Sequence, residues 1–301
     1  MSVFVCGSLH YDVVVDAPHL PRLDETVTGA AVTYIMGGKG GNQAAAAARM
    51  GARTAFAGRI GDDPSGVTLL QGLADAGIDT SQVQRDSGAS GMSVAIVESG
   101  GGYGAVIVSA ANLNIDPGLI DMPTGTNVVL LQNEVPEAVN LAVAFKGRNI
   151  GASVVLNAAP ARPMGAALLG VVDVLVVNRV EAADLLATTE AALDPLSAAQ
   201  ALTTLGPRSV IVTLGGEGLV FHDQGTTKHL PSHPVTVVST HGAGDAFLGA
   251  LAAARSRGES LADAARFGQA AAALHVSTPV NERDAITREK AEALMVQRSI
   301  R

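Results

Sequence analysis

From residue 53 onward, apolar runs of strand length alternate with stretches of helix length, and this rhythm constrains the fold most. The strand-like runs are Arg53–Ile60, Asn127–Gln132, Ala152–Asn157, Val171–Val177 and Ser209–Leu214. Pro64–Ala76 and Glu137–Arg148 read as helices, the first with Pro64 near its start and Gly77 after its end. Near-continuous Val, Leu and Ile mark strands buried on both faces. Strands alternating with helices predict a parallel sheet covered on both sides, an α/β fold. Ser2–Gly7 joins it as a short buried strand, Leu219–His222 as a later one, and Ser260–Leu274 and Thr287–Val296 as closing helices.

Three segments break the rhythm. Glu25–Met36 is rich in Val and Thr, and Gly91–Glu98 and Tyr103–Ala110 flank Ser99-Gly100-Gly101-Gly102, a hairpin signal. They are expected to form a small separate sheet that lies over one end of the main one as a lid. The expected organisation is a single domain over residues 1–301, with lid strands inserted at about 11–36 and 90–110.

Composition narrows the function. An apolar fraction of 48% supplies a large core, built from Ala, Val and Leu because Trp is absent. A net charge of −8 and 3% aromatics argue against nucleic-acid binding, which needs basic surface or stacking platforms. The single Cys6 lies in an apolar run and reads as a buried, inert thiol suited to a reducing compartment. No signal peptide or membrane-length apolar run is visible, so a soluble cytoplasmic protein is expected.

Chemistry concentrates in glycine-rich turns. Ser239-Thr240-His241-Gly242-Ala243-Gly244-Asp245 runs into an alanine-rich helix. N–H groups at a helix start lack intrahelical partners, and Gly242 and Gly244 leave them uncovered for an anion such as phosphate. Asp245 in that first turn either complements the helix dipole or serves the anion site. Gly37-Gly38-Lys39-Gly40-Gly41-Asn42-Gln43 opens a second helix. It is neither a dinucleotide fingerprint, since Gln43 replaces the third glycine, nor a Walker A loop, since Gly40 follows Lys39. Either Asn42 caps the helix or the turn contacts a ligand; four glycines around one lysine favour the ligand. Asp12, just beyond the first strand, is a ligand-binding acid or a solvated turn residue. Asn178 and Glu181 have capping-box spacing. A phosphate site, an acid and hydroxyl-binding polar groups together suggest phosphoryl transfer to a hydroxyl.

The chain resembles the ribokinase-type carbohydrate kinases, also called the B-type phosphofructokinase family, nearly end to end. The anchors are Gly37-Gly38-Lys39-Gly40-Gly41-Asn42-Gln43-Ala44, with Glu25-Thr26-Val27-Thr28-Gly29 before it, and Gly242-Ala243-Gly244-Asp245. The resemblance implies a three-layer, doubly wound, mostly parallel sheet with a small β lid. It implies Asp245 as catalytic base, with the N–H groups of Gly242, Ala243 and Gly244 as the anion hole. It implies that Asp12, Gly38, Lys39, Asn42 and Glu134 hold the sugar. Asn178 and Glu181 match the family's Asn-x-x-Glu motif for nucleotide phosphates and hydrated Mg²⁺, and Thr213, Gly215 and Gly218 match its nucleotide loop. ATP would be the phosphoryl donor, and a homodimer through the lid sheet is implied.

Three departures qualify the resemblance. His10 stands where the family's ribose-specific members have an asparagine against the sugar. Ser239 replaces an aspartate that ligates an activating monovalent cation, and the loop around Ser277–Asp284 lacks the expected glycine. Weak or no activation by K⁺ is the expectation. His241 is expected at the nucleotide entrance. D-ribose, phosphorylated at its terminal hydroxyl, is the leading substrate, with another pentose, a ketohexose or a nucleoside as the alternative. A sugar- or nucleotide-binding protein without catalysis is a rival that an intact Asp245 argues against.

Overall fold

The computed structural model describes residues 1–98 and 102–299. In chain order the first elements are β1 (Ser2–Cys6), β2 (His10–Ala17), β3 (Ala31–Gly37), α1 (Lys39–Arg49), β4 (Arg53–Gly61), α2 (Pro64–Asp75) and β5 (Asp79–Asp86). Then come β6 (Met92–Glu98), β7 (Tyr103–Val108), β8 (Val128–Gln132), α3 (Glu137–Asn149), β9 (Ser153–Asn157), α4 (Ala166–Leu169), β10 (Val174–Asn178) and α5 (Arg179–Leu185). The last are α6 (Pro195–Thr203), β11 (Ser209–Thr213), β12 (Leu219–Asp223), β13 (Thr226–Leu230), α7 (Ala243–Ser256), α8 (Leu261–Ser277) and α9 (Arg288–Ser299).

Among the described residues nine strands form one sheet, in the order β13-β12-β11-β10-β9-β8-β1-β4-β5. Its pairings are parallel except β11–β12 and β12–β13. Strand parity divides the core between the two faces. Val3, Val5, Val128 and Leu130 pack with α1, α7 and α8, while Phe4, Cys6, Val129 and Leu131 pack with α3, α5 and α6. Phe4 and Phe56 are fully buried, each stabilising by roughly 1.5–3 kcal/mol. Burial also pushes the Cys6 thiol up to about 12, so it is not a nucleophile at neutral pH.

β1 and β8 are neighbours, and the chain winds outward from them in opposite directions. The crevice beyond their carboxyl ends is where such sheets bind ligands. The other four strands form a separate sheet in the order β3-β2-β6-β7, with β2 and β6 parallel. β2 starts only three residues beyond β1, so the chain passes at once from the large sheet to the small one. The stacked rings of Tyr11 and Tyr34, 5.7 Å apart, reinforce the β2–β3 pair.

The structure corrects several expectations. Within Glu25–Met36 only the part from Ala31 is strand, β2 forms the lid strand at the start of the 11–36 span, and β5 and β13 were not anticipated. The turn Ser99-Gly100-Gly101 lies outside the described residues. No helix among the described residues is long and apolar enough to cross a membrane.

Candidate active site

Two helix N-termini meet at the crevice because α1 and α7 pack backbone to backbone. Gly249 makes this packing close: a Cβ there would lie 2.4 Å from the Ala46 Cβ and 2.6 Å from the Ala47 nitrogen. α7 is buried along most of its length, so its first turn is held by the core. Gly242, in the left-handed region at φ 78°, is its N-cap and supplies no side chain.

Asp245 follows in that first turn, 9% exposed. Its Oδ1 accepts a hydrogen bond from Gln43 Nε2 at 2.9 Å and its Oδ2 one from Asn42 Nδ2 at 3.4 Å. Burial raises its proton affinity above the ordinary carboxylate value, and the Lys39 charge and the Gln43 bond oppose that rise. The Ala243 N–H donates to the Thr240 carbonyl at 3.2 Å. The N–H groups of Gly242 and Gly244 have no partner among the described residues, and Gly244 is exposed with open space around its Cα.

Around α1 the structure removes the capping alternative. Its N-cap is Gly38, and Asn42 lies inside the helix, so Asn42 does not cap it. Glu134 does the capping from 95 residues away: its Oε2 accepts the Lys39 N–H at 2.8 Å and the Ser8 Oγ–H at 2.5 Å. His10 is buried, with Nδ1 4.0 Å from the same oxygen and Nε2 lacking a partner. Asp12 sits on β2 opposite Ser93, whose hydroxyl donates to it at 2.6 Å. Burial raises the Asp12 proton affinity, opposed by Ser93 and by the charges of His10 and His241. Asp12 is therefore a half-buried strand residue and not a solvated turn acid. Glu134 is within electrostatic reach of both Asp12 and Asp245.

The expected nucleotide residues gather along the same strand ends. Asn178 and Thr213 are register partners on β10 and β11. Asn178 and Glu181 form a complete capping box, each side chain bonding the other's backbone N–H at 2.8 Å. Burial raises the Glu181 proton affinity, while the Asn178 N–H and the Lys39 charge lower it. Gly215 and Gly218 both have positive φ in the turn after β11, which Arg179–Glu217 ties to the start of α5 at 3.1 Å. A cavity of about 480 Å³ opens beside Glu181, lined also by Arg162, Met164 and Asp184. His241 is exposed and lies within electrostatic reach of Asp12, on the Asp12 side of the crevice rather than only at the nucleotide end.

Sequence reasoning passed over Gln43, which is fully buried and joins Asp245 to a relay of amides. It donates to Asn157 Oδ1 at 3.2 Å and accepts from Gln132 Nε2 at 2.8 Å. Its adjacency to Asn42 in the glycine-rich turn was the available signal. The arrangement places a buried carboxylate between uncovered N–H groups, a lysine and a set of hydroxyl-binding groups, which suits proton removal from an alcohol beside an anion.

Comparison with known proteins agrees. The family model described as pfkB family carbohydrate kinase matches residues 1–283. The ribokinase of Haemophilus influenzae is 34% identical over 285 residues, covering 92% of each chain. That of Bacillus subtilis is 32% identical over 298 residues, covering 98% of this chain and 99% of the relative. The structure of Arabidopsis thaliana ribokinase complexed with ribose and ATP superposes with a TM-score of 0.89 at 30% identity, covering 98% of both chains.

Proposed function

The chain belongs to the pfkB family of carbohydrate kinases, and from that premise we propose that it transfers the γ-phosphoryl group of ATP to the terminal hydroxyl of D-ribose. The observation that carries this reading is Asp245, buried in the first turn of α7 beside N–H groups that no protein group covers. The enzyme is a phosphotransferase with an alcohol as acceptor.

In this reading the sugar hydroxyl oxygen attacks the γ-phosphorus, the bond to the ADP oxygen breaks, and the hydroxyl proton passes to Asp245. The raised proton affinity of Asp245 suits a base that must accept a proton. The N–H groups of Gly242 and Gly244 face the charge on the transferring group; the Ala243 N–H, engaged by Thr240, contributes less. Asp12, His10, Gly38, Lys39, Asn42 and Glu134 bind the sugar, with Lys39 in electrostatic reach of both Asp245 and Glu181. Asn178, Thr213, Gly215 and Gly218 bind the nucleotide, and His241 stands between the two substrates.

Mg²⁺ bound with the nucleotide would neutralise charge on the phosphates. One buried carboxylate, Glu181, with Asp184 in electrostatic reach, fits an ion that takes one or two carboxylates and completes its shell with phosphates and water. The small sheet acts as a lid that excludes water, the competing acceptor. Its outer face carries Val32, Tyr34, Val94 and Val106, all at least 40% exposed; a second copy of this chain covers that apolar face, giving a homodimer. The buried thiol and the absence of any disulfide among the described residues suit the cytoplasm.

The test is ADP release with ATP, Mg²⁺ and a panel of pentoses, ketohexoses and nucleosides. Ribose should give the highest kcat/KM, with phosphate on its terminal oxygen. Preference for a nucleoside or ketohexose would overturn the substrate and point to His10 as the residue that changed it.

A further inference from the structure

Arg283 is 7% exposed, yet its hydrogen-bond partners among the described residues are backbone carbonyl oxygens only. Nη1 donates to the His241 carbonyl at 3.0 Å, Nη2 to that of Ser239 at 3.1 Å, and Nε to that of Thr278 at 3.3 Å. No carboxylate among the described residues forms an ion pair with it, and the nearby charge of Arg49 is of the same sign. A buried positive charge balanced by several converging carbonyl dipoles is the chemistry that proteins use for alkali cations. Two of those carbonyls, of Ser239 and His241, lie within three residues before Gly242, the N-cap of α7. The same loop is tied to the end of α8 by Val238 and Ser239 N–H groups on the Val276 carbonyl and by His275 Nε2 on the His241 carbonyl.

The family resemblance implies a monovalent cation held near position 239, and the residues present do not fit one. Ser239 brings no charge, the carbonyls already serve the guanidinium, and a second cation among them would be repelled. We propose that Arg283 is a tethered cation: its guanidinium occupies the carbonyl cluster, fixes the Ser239–His241 loop and thereby sets the uncovered N–H groups of α7. Arg283 is a positioning residue, since it acts through that loop. The inference rests on the kinase reading and deepens it, replacing dependence on an ion in solution with a permanent internal charge.

The experiment measures initial rates and thermal melting of the full chain at constant ionic strength. K⁺, Na⁺ or guanidinium is titrated against tetramethylammonium, too bulky for such a cluster, for wild type, Arg283→Lys and Arg283→Ala. Wild-type rate and Tm should change less than about twofold and about one degree respectively between K⁺ and tetramethylammonium. Arg283→Lys should keep measurable turnover. Arg283→Ala should lose at least about tenfold in kcat with a smaller change in KM. Millimolar guanidinium or K⁺ should restore its rate several-fold and raise its Tm, whereas tetramethylammonium should do neither.

Many-fold activation of wild type by K⁺ overturns the inference, and that measurement needs no variant to fold. A folded Arg283→Ala with unchanged kcat, or an impaired one that no small cation restores, also overturns it. Failure of the kinase reading looks different: wild type would then release no ADP with any sugar in any salt.

Discussion

The N-termini of α1 and α7 lie side by side, yet their ends are treated oppositely. The α1 end is closed by an anion of the protein itself, the Glu134 carboxylate on the Lys39 N–H. The α7 end has its own acid in the first turn, but Asp245 is drawn sideways by Gln43 and Asn42, both from α1. It does not fold back onto the N–H groups of its own helix. One helix start is satisfied internally while the acid is withheld from the other, and the proposed reaction uses that second end as its anion site. The difference arises from amide side chains on a neighbouring helix, and no property of the α7 sequence alone produces it.

The largest way to test this comparison is Asp245→Asn. Turnover should fall by roughly 10²–10⁴, the contribution of a positioned base, while sugar affinity persists in equilibrium dialysis. The fold should become more stable at neutral pH. The Asp245 proton affinity is raised in the folded state, so above the ordinary carboxylate value the folded protein binds more protons than the unfolded one. Stability then declines as pH rises through that window. Melts from pH 4 to 8 should show the gain of the Asn variant growing with pH; a variant less stable than wild type at pH 7 would refute the account of a buried, costly charge.

Gly249→Val comes next, because its Cβ would meet α1 backbone and the Ala46 methyl. Separating the helices should cost about 1–3 kcal/mol in urea unfolding and, by displacing one terminus from the other, on the order of 10²-fold in kcat. Wild-type kcat in a destabilised Val variant would show that the two ends do not work as a unit.

Two smaller changes should move the acid limb of the pH–rate profile in opposite directions. Gln43→Leu removes a bond that stabilises ionised Asp245, so the limb should shift to higher pH. Glu134→Gln removes a negative charge that raises the Asp245 proton affinity, so the limb should shift to lower pH. Its loss at the α1 end should cost only about 0.3–1 kcal/mol of stability. Shifts of the same sign would break the contrast between the two ends.

How much of this was legible depended on how local the cause was. Buried parallel strands such as β8 and β11 announce themselves because both faces are apolar. β5 (DTSQVQRD) and β13 (TTKHL) sit at the two edges of the sheet, where polar residues belong, and they gave no apolar run. The Asn178–Glu181 box and the Asp63 cap on Gly66 are readable because donor and acceptor lie three residues apart. The alternative that Asn42 caps α1 fails because the partner of that N-terminus, Glu134, arrives from another strand end. The roles of Gln43 and Arg283 were hidden for the same reason: although Gln43 stands in the glycine-rich turn, each acquires its role from groups more than thirty residues distant. The glycine-rich turns located the site; tertiary contacts assigned its hydrogen bonds.

The short crossing from β1 to β2 divides labour within the molecule. Asp12 travels with the small sheet, whereas Asp245 sits on α7, packed against the large one. In the proposed reaction, the sugar contacts of His10 and Asp12 are thus housed apart from the base. A substitution on β2 can then change the fit to the alcohol while leaving the first turn of α7 in place.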